Sequence, residues 1–368
     1  CYKKILFYYL ILIYYMVVSI KDDTYNNGMK LVKIKDKSFQ SIMLYFYIKV
    51  GSKYEPLHIL GISHFLEHLL FKGTEKYKTY KDINKLLDSN GVDFNAYTDK
   101  NVTAYHFKYL AKRKKTELIT DIAYQMIFKS LITQKDLNIE RNVIMQEYND
   151  ALDDPEDLVN EFVEKLAFKG HVLEHNVIGN KKTINSINRK DVLHFYKKFY
   201  IPKNVLITIC GNFNDNDIDL LEKNFIKSKK VPSIYKVPLK LFPFYEKRVK
   251  FMLKNKNNKF EIIDDKLKEY TTKNVKCYNK KTEQNHLVLL FNTIGLYDDK
   301  EHIYMLLANI LGGNMSSKLF TKIREELGLA YTISASVTNY EEQGYFEIST
   351  KTKPEDTIKC LHEILKLL

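Results

Sequence analysis

The sequence predicts an α+β protein built from two homologous domains, each a mixed or antiparallel β-sheet packed with helices. Three observations lead there. Alternating apolar stretches with the period of strands occur at residues 41–50 and again at 285–294. Each precedes a leucine-rich run with helical spacing, at 62–71 and at 306–311. Each run is then followed by a glycine-led pair of strand-like segments. In the first copy these are Gly91-Val-Asp-Phe-Asn-Ala96-Tyr97-Thr98 and the alternating residues 102–109. In the second they are Gly328-Leu-Ala330-Tyr331-Thr332 and Gly344-Tyr-Phe-Glu-Ile-Ser-Thr350. A length of 368 residues suits two domains, since one domain commonly takes about 100–200. An apolar content of 45% gives each a core.

The chain opens differently. Lys3 and Lys4 precede residues 5–20, whose only non-aromatic polar member is Ser19. A spanning helix needs about 20 apolar residues, so this run is short for one and suits the core of a signal peptide. Val17 and Ser19 form a candidate cleavage site. The run holds no Arg, unlike a mitochondrial presequence. Residues 1–22 therefore read as a hydrophobic leader, with 5–20 a candidate membrane tether, pointing to the secretory route or a membrane. Residues 23–226 read as the first domain, 227–270 as a lysine-rich connector, and 271–368 as the second domain. The chain begins with Cys and stops at Leu368 soon after a helix-like run, so both ends are expected to be incomplete.

The candidate chemistry lies in the first domain. His64-Phe65-Leu66-Glu67-His68 places two histidines one helical turn apart, so both imidazoles reach one tetrahedral Zn²⁺. Glu67 is adjacent, suited to act as general base on a water polarised by the metal. The surrounding run has no Gly or Pro, and Ser63 is the expected N-cap. The same spelling recurs at His171-Val172-Leu173-Glu174-His175, between Gly170 and Gly179. That stretch reads as a loop, where the two histidines do not converge. It is expected to be a decoy.

A catalytic zinc also needs a third protein ligand. Glu140 and Glu147 are seven residues apart in a helix-like stretch, 138–148, so both carboxylates fall on one face. Val143, Ile144 and Met145 are expected to supply its apolar side. A lone glutamate pair is also an ordinary solvated face. Its pairing with the histidine motif gives it meaning.

With these motifs the chain resembles the pitrilysin/insulinase family of zinc metallopeptidases, nearest in type to its two-domain bacterial and mitochondrial processing-peptidase-like branch. The resemblance also covers Gly51-Ser-Lys-Tyr-Glu55, Leu70-Phe71-Lys72-Gly73-Thr74, Gly179-Asn180, Tyr200-Ile201-Pro202-Lys203-Asn204 and Gly211-Asn212. It implies one Zn²⁺ per chain held by His64, His68 and Glu147, Glu67 as base, and Glu140 as a carboxylate that orients the ligands. It implies that Asn95-Ala96 pairs with substrate backbone as an edge strand. Arg324-Glu-Glu-Leu-Gly-Leu-Ala-Tyr331 is similar to an element in which the Arg and Tyr reach substrate. Asp157 and Glu161, four apart, are candidates for recognising a basic substrate residue, as in mitochondrial relatives. Otherwise they are a charged helix surface. The fold it implies is half of a clamshell. The expected substrate is an extended peptide, unfolded polypeptide or presequence, and the expected assembly a homodimer or a heterodimer with a homologous subunit. The second domain has Asn309 to Gly313 in place of the metal motif and reads as degenerate.

Other readings are narrower. The net charge of +13 is spread along the chain and accompanies no nucleic-acid-binding motif, so no nucleic-acid partner is expected. Cys1, Cys210, Cys277 and Cys360 lie far apart without a C-x-x-C, which argues against a cysteine zinc site or a disulfide scaffold. A non-catalytic structural or assembly subunit that retains zinc is the alternative function. The intact ligand set with its base speaks against it.

Overall fold

The computed structural model describes residues 18–226, 282–341 and 343–368. The chain divides into two compact units, Cys1–Gln146 with Val177–Lys250, and Glu147–Asn176 with Phe251–Leu368.

Successive elements in the first 226 residues are β1 (Val18–Thr24), β2 (Lys30–Asp36), β3 (Ser41–Ile48), α1 (Ile62–Leu70), α2 (Tyr80–Ser89), β4 (Asp93–Thr98), β5 (Thr103–Leu110), α3 (Arg113–Lys129), α4 (Gln134–Asp153), α5 (Pro155–Ala167), α6 (Lys181–Ser186), α7 (Arg189–Phe199), β6 (Val205–Gly211) and α8 (Asp215–Leu221). The first unit holds a six-stranded sheet in the order β1-β2-β6-β3-β5-β4. β2 and β6 run parallel and the other neighbours antiparallel. Strand period dictates its core: Ile42, Leu44, Phe46 and Ile48 alternate along β3 and are fully buried. Phe225 binds this face to α3, with its ring 5.0 Å from Phe46 and 5.6 Å from Tyr124. α2 starts at a capping box in which Thr79 and Asp82 satisfy each other's backbone N–H.

One expectation changes here. β1 begins inside the stretch read as a leader, and Val18 to Thr24 pair with Asp36 to Lys30. A hydrophobic leader and a strand draw on the same β-branched residues, so composition alone did not separate them. Most of the hydrophobic segment and the connector 227–270 lie outside the described residues. Among those described, no helix is long and apolar enough to cross a membrane. Residues 147–176, read with the first domain, pack with the second unit. The cause is local. Asp154 caps α5 through the N–H groups of Glu156 and Asp157, and Pro155 occupies its first turn, so the chain turns between α4 and α5. α5 then buries Val163, Ala167 and the following Phe168 with Tyr340 and Tyr345.

The second unit continues with β7 (Asn285–Thr293), α9 (Glu301–Gly312), a π-helical segment (Phe320–Glu326), β8 (Ala330–Asn339), β9 (Gly344–Thr352) and α10 (Thr357–Leu367). Its antiparallel sheet has the order β7-β9-β8. Alternation sends Leu289, Phe346 and Ile348 to a cluster with Leu311, Ile323, Cys360 and Ile364. Val288, Leu290 and Tyr345 go to the cluster with α5. Two faces of one small sheet are thus each covered by helix. The predicted repeat is present in topology, because β7-β9-β8 retraces the order β3-β5-β4 with a helix after the first strand of each set.

Candidate metal centre

The site is set by how α1 begins. Ser63 is not the N-cap. That position falls to Gly61, in the left-handed region with φ +94°, and no side chain of its own caps the helix. A Cβ at Gly61 would lie 2.4 Å from the Ile178 carbonyl oxygen, and one at Gly179 would lie 2.3 Å from that of Leu60. Two glycines back to back therefore seal the helix start. Ser63 is buried inside the first turn. Its N–H and that of Gly61 donate to the two oxygens of Glu55, at 2.7 and 2.6 Å. Burial pushes the Glu55 carboxyl up to about 7, although the Ser63 and Gly61 hydrogen bonds and the Lys100 charge pull it down.

One turn apart on α1, the His64 and His68 rings meet at 75° with centroids 4.6 Å apart, and their Nε2 atoms are 3.2 Å apart. Two tetrahedral ligands at zinc–nitrogen distances near 2.0–2.1 Å stand about 3.4 Å from each other. Burial pushes His64 down to about 3, and the neighbouring His68 adds to this, so the neutral, metal-binding imidazole is favoured. Glu147 joins them from α4: one ligand atom from each of His64, His68 and Glu147 lies within 4.8 Å of the others. Two imidazoles and one carboxylate at this spacing fit a zinc ion and leave a fourth position open.

α4 is longer than the stretch 138–148, and its inner face differs from the expected one. Leu137, Glu140 and Ile144 are buried, whereas Val143 points outward. Glu140 accepts from His68 Nδ1 at 3.1 Å and pairs with Lys72 Nζ at 2.7 Å. This leaves the His68 Nε2 for a metal. Burial raises the Glu140 carboxyl, but hydrogen bonds from His68 and Lys72 outweigh it and hold it below its usual value. Arg141 fastens the two helices, with its guanidinium 5.6 Å from the Phe65 ring centre and Nη2 donating to the Ile187 carbonyl at 2.7 Å.

Glu67 lies on α1 facing β4. Its Oε2 accepts a 2.6 Å hydrogen bond from the Thr98 hydroxyl. Behind it the buried Tyr105 and Tyr200 hydroxyls lie 3.0 Å apart, and burial, with the Glu67 charge, pushes both phenols up. Asn95 and Ala96 sit in the middle of β4, an edge strand paired only with β5 among the described residues. A cavity of about 260 Å³ beside them is lined by Phe71, Lys72, Tyr80, Asn84, Phe94 and Asn95.

Against this geometry, residues 30–181 match the family described as insulinase (peptidase family M16), and residues 186–368 match the peptidase M16 inactive domain. YmxG of Bacillus subtilis, described as an uncharacterized zinc protease, is 32% identical over 329 residues, covering 89% of this chain and 73% of that protein. The chain belongs to peptidase family M16. An uncharacterized zinc protease of Rickettsia bellii is 33% identical over 344 residues, covering 92% of this chain and 75% of its own length. The M16 fold is shared with a solved Helicobacter pylori protease at TM-score 0.75 and 20% identity, covering 95% and 79% of the two chains. The periplasmic protease PqqL of Escherichia coli gives 0.69 at 17% identity, covering 94% and 37%.

The remaining M16 candidates fall in the second unit. The Arg324 guanidinium lies 4.5 Å from the Phe320 ring centre and 5.2 Å from that of Tyr331, which is exposed. Glu161 is ion-paired with Lys165 one turn on, so its charge is already compensated, and Asp157 is exposed in the first turn of α5. The second H-x-x-E-H is a single 3₁₀ turn, Val172–Glu174. There His171 Nδ1 accepts from the Leu173 N–H and Glu174 accepts from the Gly170 N–H, so the motif spends its groups on its own backbone. Sequence reasoning missed Glu55, Lys72 and Thr98 as parts of the site. The stretches containing Glu55 and Lys72 stand out only as family-like, and the one ending at Thr98 only as strand-like.

Proposed function

We propose that this protein is a zinc-dependent metalloendopeptidase that hydrolyses extended peptides. The observation that carries this is the convergence of His64, His68 and Glu147 beside a glutamate held by its own hydrogen-bond donor. A zinc ion held by those three residues would supply a Lewis acid for the peptide carbonyl and the attacking water. Glu67 takes the proton from that water at the carboxylate oxygen not engaged by Thr98, and returns it to the leaving amine nitrogen. Thr98 holds the carboxylate in one rotamer. Glu140 fixes the orientation of His68, and Lys72 balances its charge. The open edge of β4 receives substrate backbone as an added strand, and the cavity next to Asn95 takes a side chain from it. The Arg324 guanidinium, beside the exposed Tyr331 ring, is suited to a polar group of the substrate.

The test compares wild type with Glu67→Gln, both zinc-loaded, on an unstructured fluorogenic peptide. The expected loss is about 100- to 10,000-fold in kcat with zinc content unchanged. A variant that cleaves as fast as wild type removes Glu67 as the base. A zinc-loaded wild type that cleaves no peptide favours the non-catalytic subunit.

A further inference from the structure

We infer that Glu55 is a positioning residue for the metal centre, holding the first turn of α1, and with it His64, by capping the helix from outside. This rests on the metal centre described above.

The helix is short. α1 spans Ile62–Leu70, only nine residues, and helices of that length are marginal unless their ends are satisfied. His64 is its third residue, so one ligand stands in the turn whose N–H groups have no partner within the helix. Water does not reach these groups: Ile62, Ser63 and Phe65 are fully buried, and the close approach of Gly61 and Gly179 closes the remaining side. Gly61, at the N-cap, brings no side chain. A buried N–H without an acceptor is costly, so an acceptor must come from elsewhere in the chain.

Glu55 fills that role with both oxygens, one on Gly61 and one on Ser63. A carboxylate suits the position better than an amide or hydroxyl. It accepts at both oxygens, and its negative charge meets the positive end of the helix. The chain reaches back to deliver it through a 3₁₀ turn, Leu57–Ile59, that lies between Glu55 and Gly61. Its Gln counterpart would turn an NH₂ toward one of the two N–H donors. One contact would then become donor against donor.

The experiment uses the full chain at pH 8 and compares wild type, Glu55→Gln and Glu55→Asp. Zinc affinity is read by competition with a chromophoric chelator, and ligand geometry by the visible spectrum of the cobalt-substituted protein. Glu55→Gln is expected to lose about tenfold in zinc affinity. Its cobalt bands should shift or broaden, and kcat should fall with KM within twofold. Glu55→Asp keeps the charge on a shorter stem and should fall between. It carries the same readouts if the Gln variant does not fold. Folded variants with lowered thermal stability but wild-type zinc affinity and cobalt spectrum overturn the inference, because Glu55 is then only structural. A wild type that binds no zinc overturns the metal centre itself, and the inference with it.

Discussion

The two halves of this molecule share a plan and differ in what they do with it. β3-β5-β4 and β7-β9-β8 have the same order and antiparallel pairing, with α1 following β3 and α9 following β7. α1 is buried along Ile62, Phe65, Leu66, Leu69 and Leu70, starts under a carboxylate, and turns His64, Glu67 and His68 to one side. α9 offers no metal-binding side chains in its middle turns. It starts at Lys300 without a side-chain cap and leaves Ile303, Leu306 and Ile310 about half exposed. The strand–helix–strand frame is therefore not what makes a metal site. The additions do that: a sealed and capped helix start, two imidazoles one turn apart, and a second helix that brings Glu140 and Glu147 to them.

Three tests bear on that contrast. The largest effect should come from removing a ligand. Glu147→Gln is expected to lose zinc on dialysis and on the order of a thousandfold in kcat/KM, measured on the fluorogenic peptide. Retained zinc and activity would show that the α4 carboxylate is not what separates the halves. Next comes the pH dependence of folding. Glu55 has a folded value of about 7 against 4.5 for the ordinary group, so burial penalises the charged form more than the two N–H donors favour it, and the advantage of the protonated form, complete below pH 4.5, is lost as pH rises through 7, although the ionised carboxylate still caps the helix. Denaturant unfolding of zinc-free wild type should weaken between pH 5 and 8 relative to Glu55→Gln, by up to roughly 3 kcal/mol. A difference that stays flat, or grows in the other direction, would sink the account of Glu55 as a carboxylate whose charge is penalised by burial. The smallest effect should be at Thr98. Thr98→Val removes the donor to Glu67 without changing shape and should lower kcat about tenfold at unchanged zinc content. Thr98→Ser should recover most of it, and failure to do so would mean that packing, not the hydroxyl, matters there.

Sequence spacing made the ligands legible because helices translate spacing into direction. His64 and His68 four apart, and Glu140 and Glu147 seven apart, needed only the helical period to be placed on common faces. The loop nature of the second H-x-x-E-H was visible from the glycines on either side. The duplication was legible because strand alternation survives when residue identity does not. Glu55, Thr98 and Lys72 were different. Their partners lie 8, 31 and 68 residues away across turns or on another element, and no local period reports such contacts. The same holds for α5, which read only as a charged helix surface, because the partners of its apolar side, Tyr340 and Tyr345, are far along the chain. Ser63 looked like a cap because caps are judged by residue type. The true acceptor came from Glu55, outside the helix.

The exposed margin of β4 carries a cost of its own. A strand with one unpaired row of N–H and C=O groups invites any extended chain, including another copy of itself, to extend the sheet. β1, at the other edge, displays Lys21, Asp22 and Asp23, charges that discourage such pairing. β4 has Asp93 at its start, but Asn95 and the exposed Tyr97 leave its middle uncharged. The strand suited to receiving a substrate is thus less guarded against self-association than β1 at the other edge of its sheet. Of the two edges of this sheet, β4 should be the one through which concentrated protein associates, and a peptide bound along it should suppress that association.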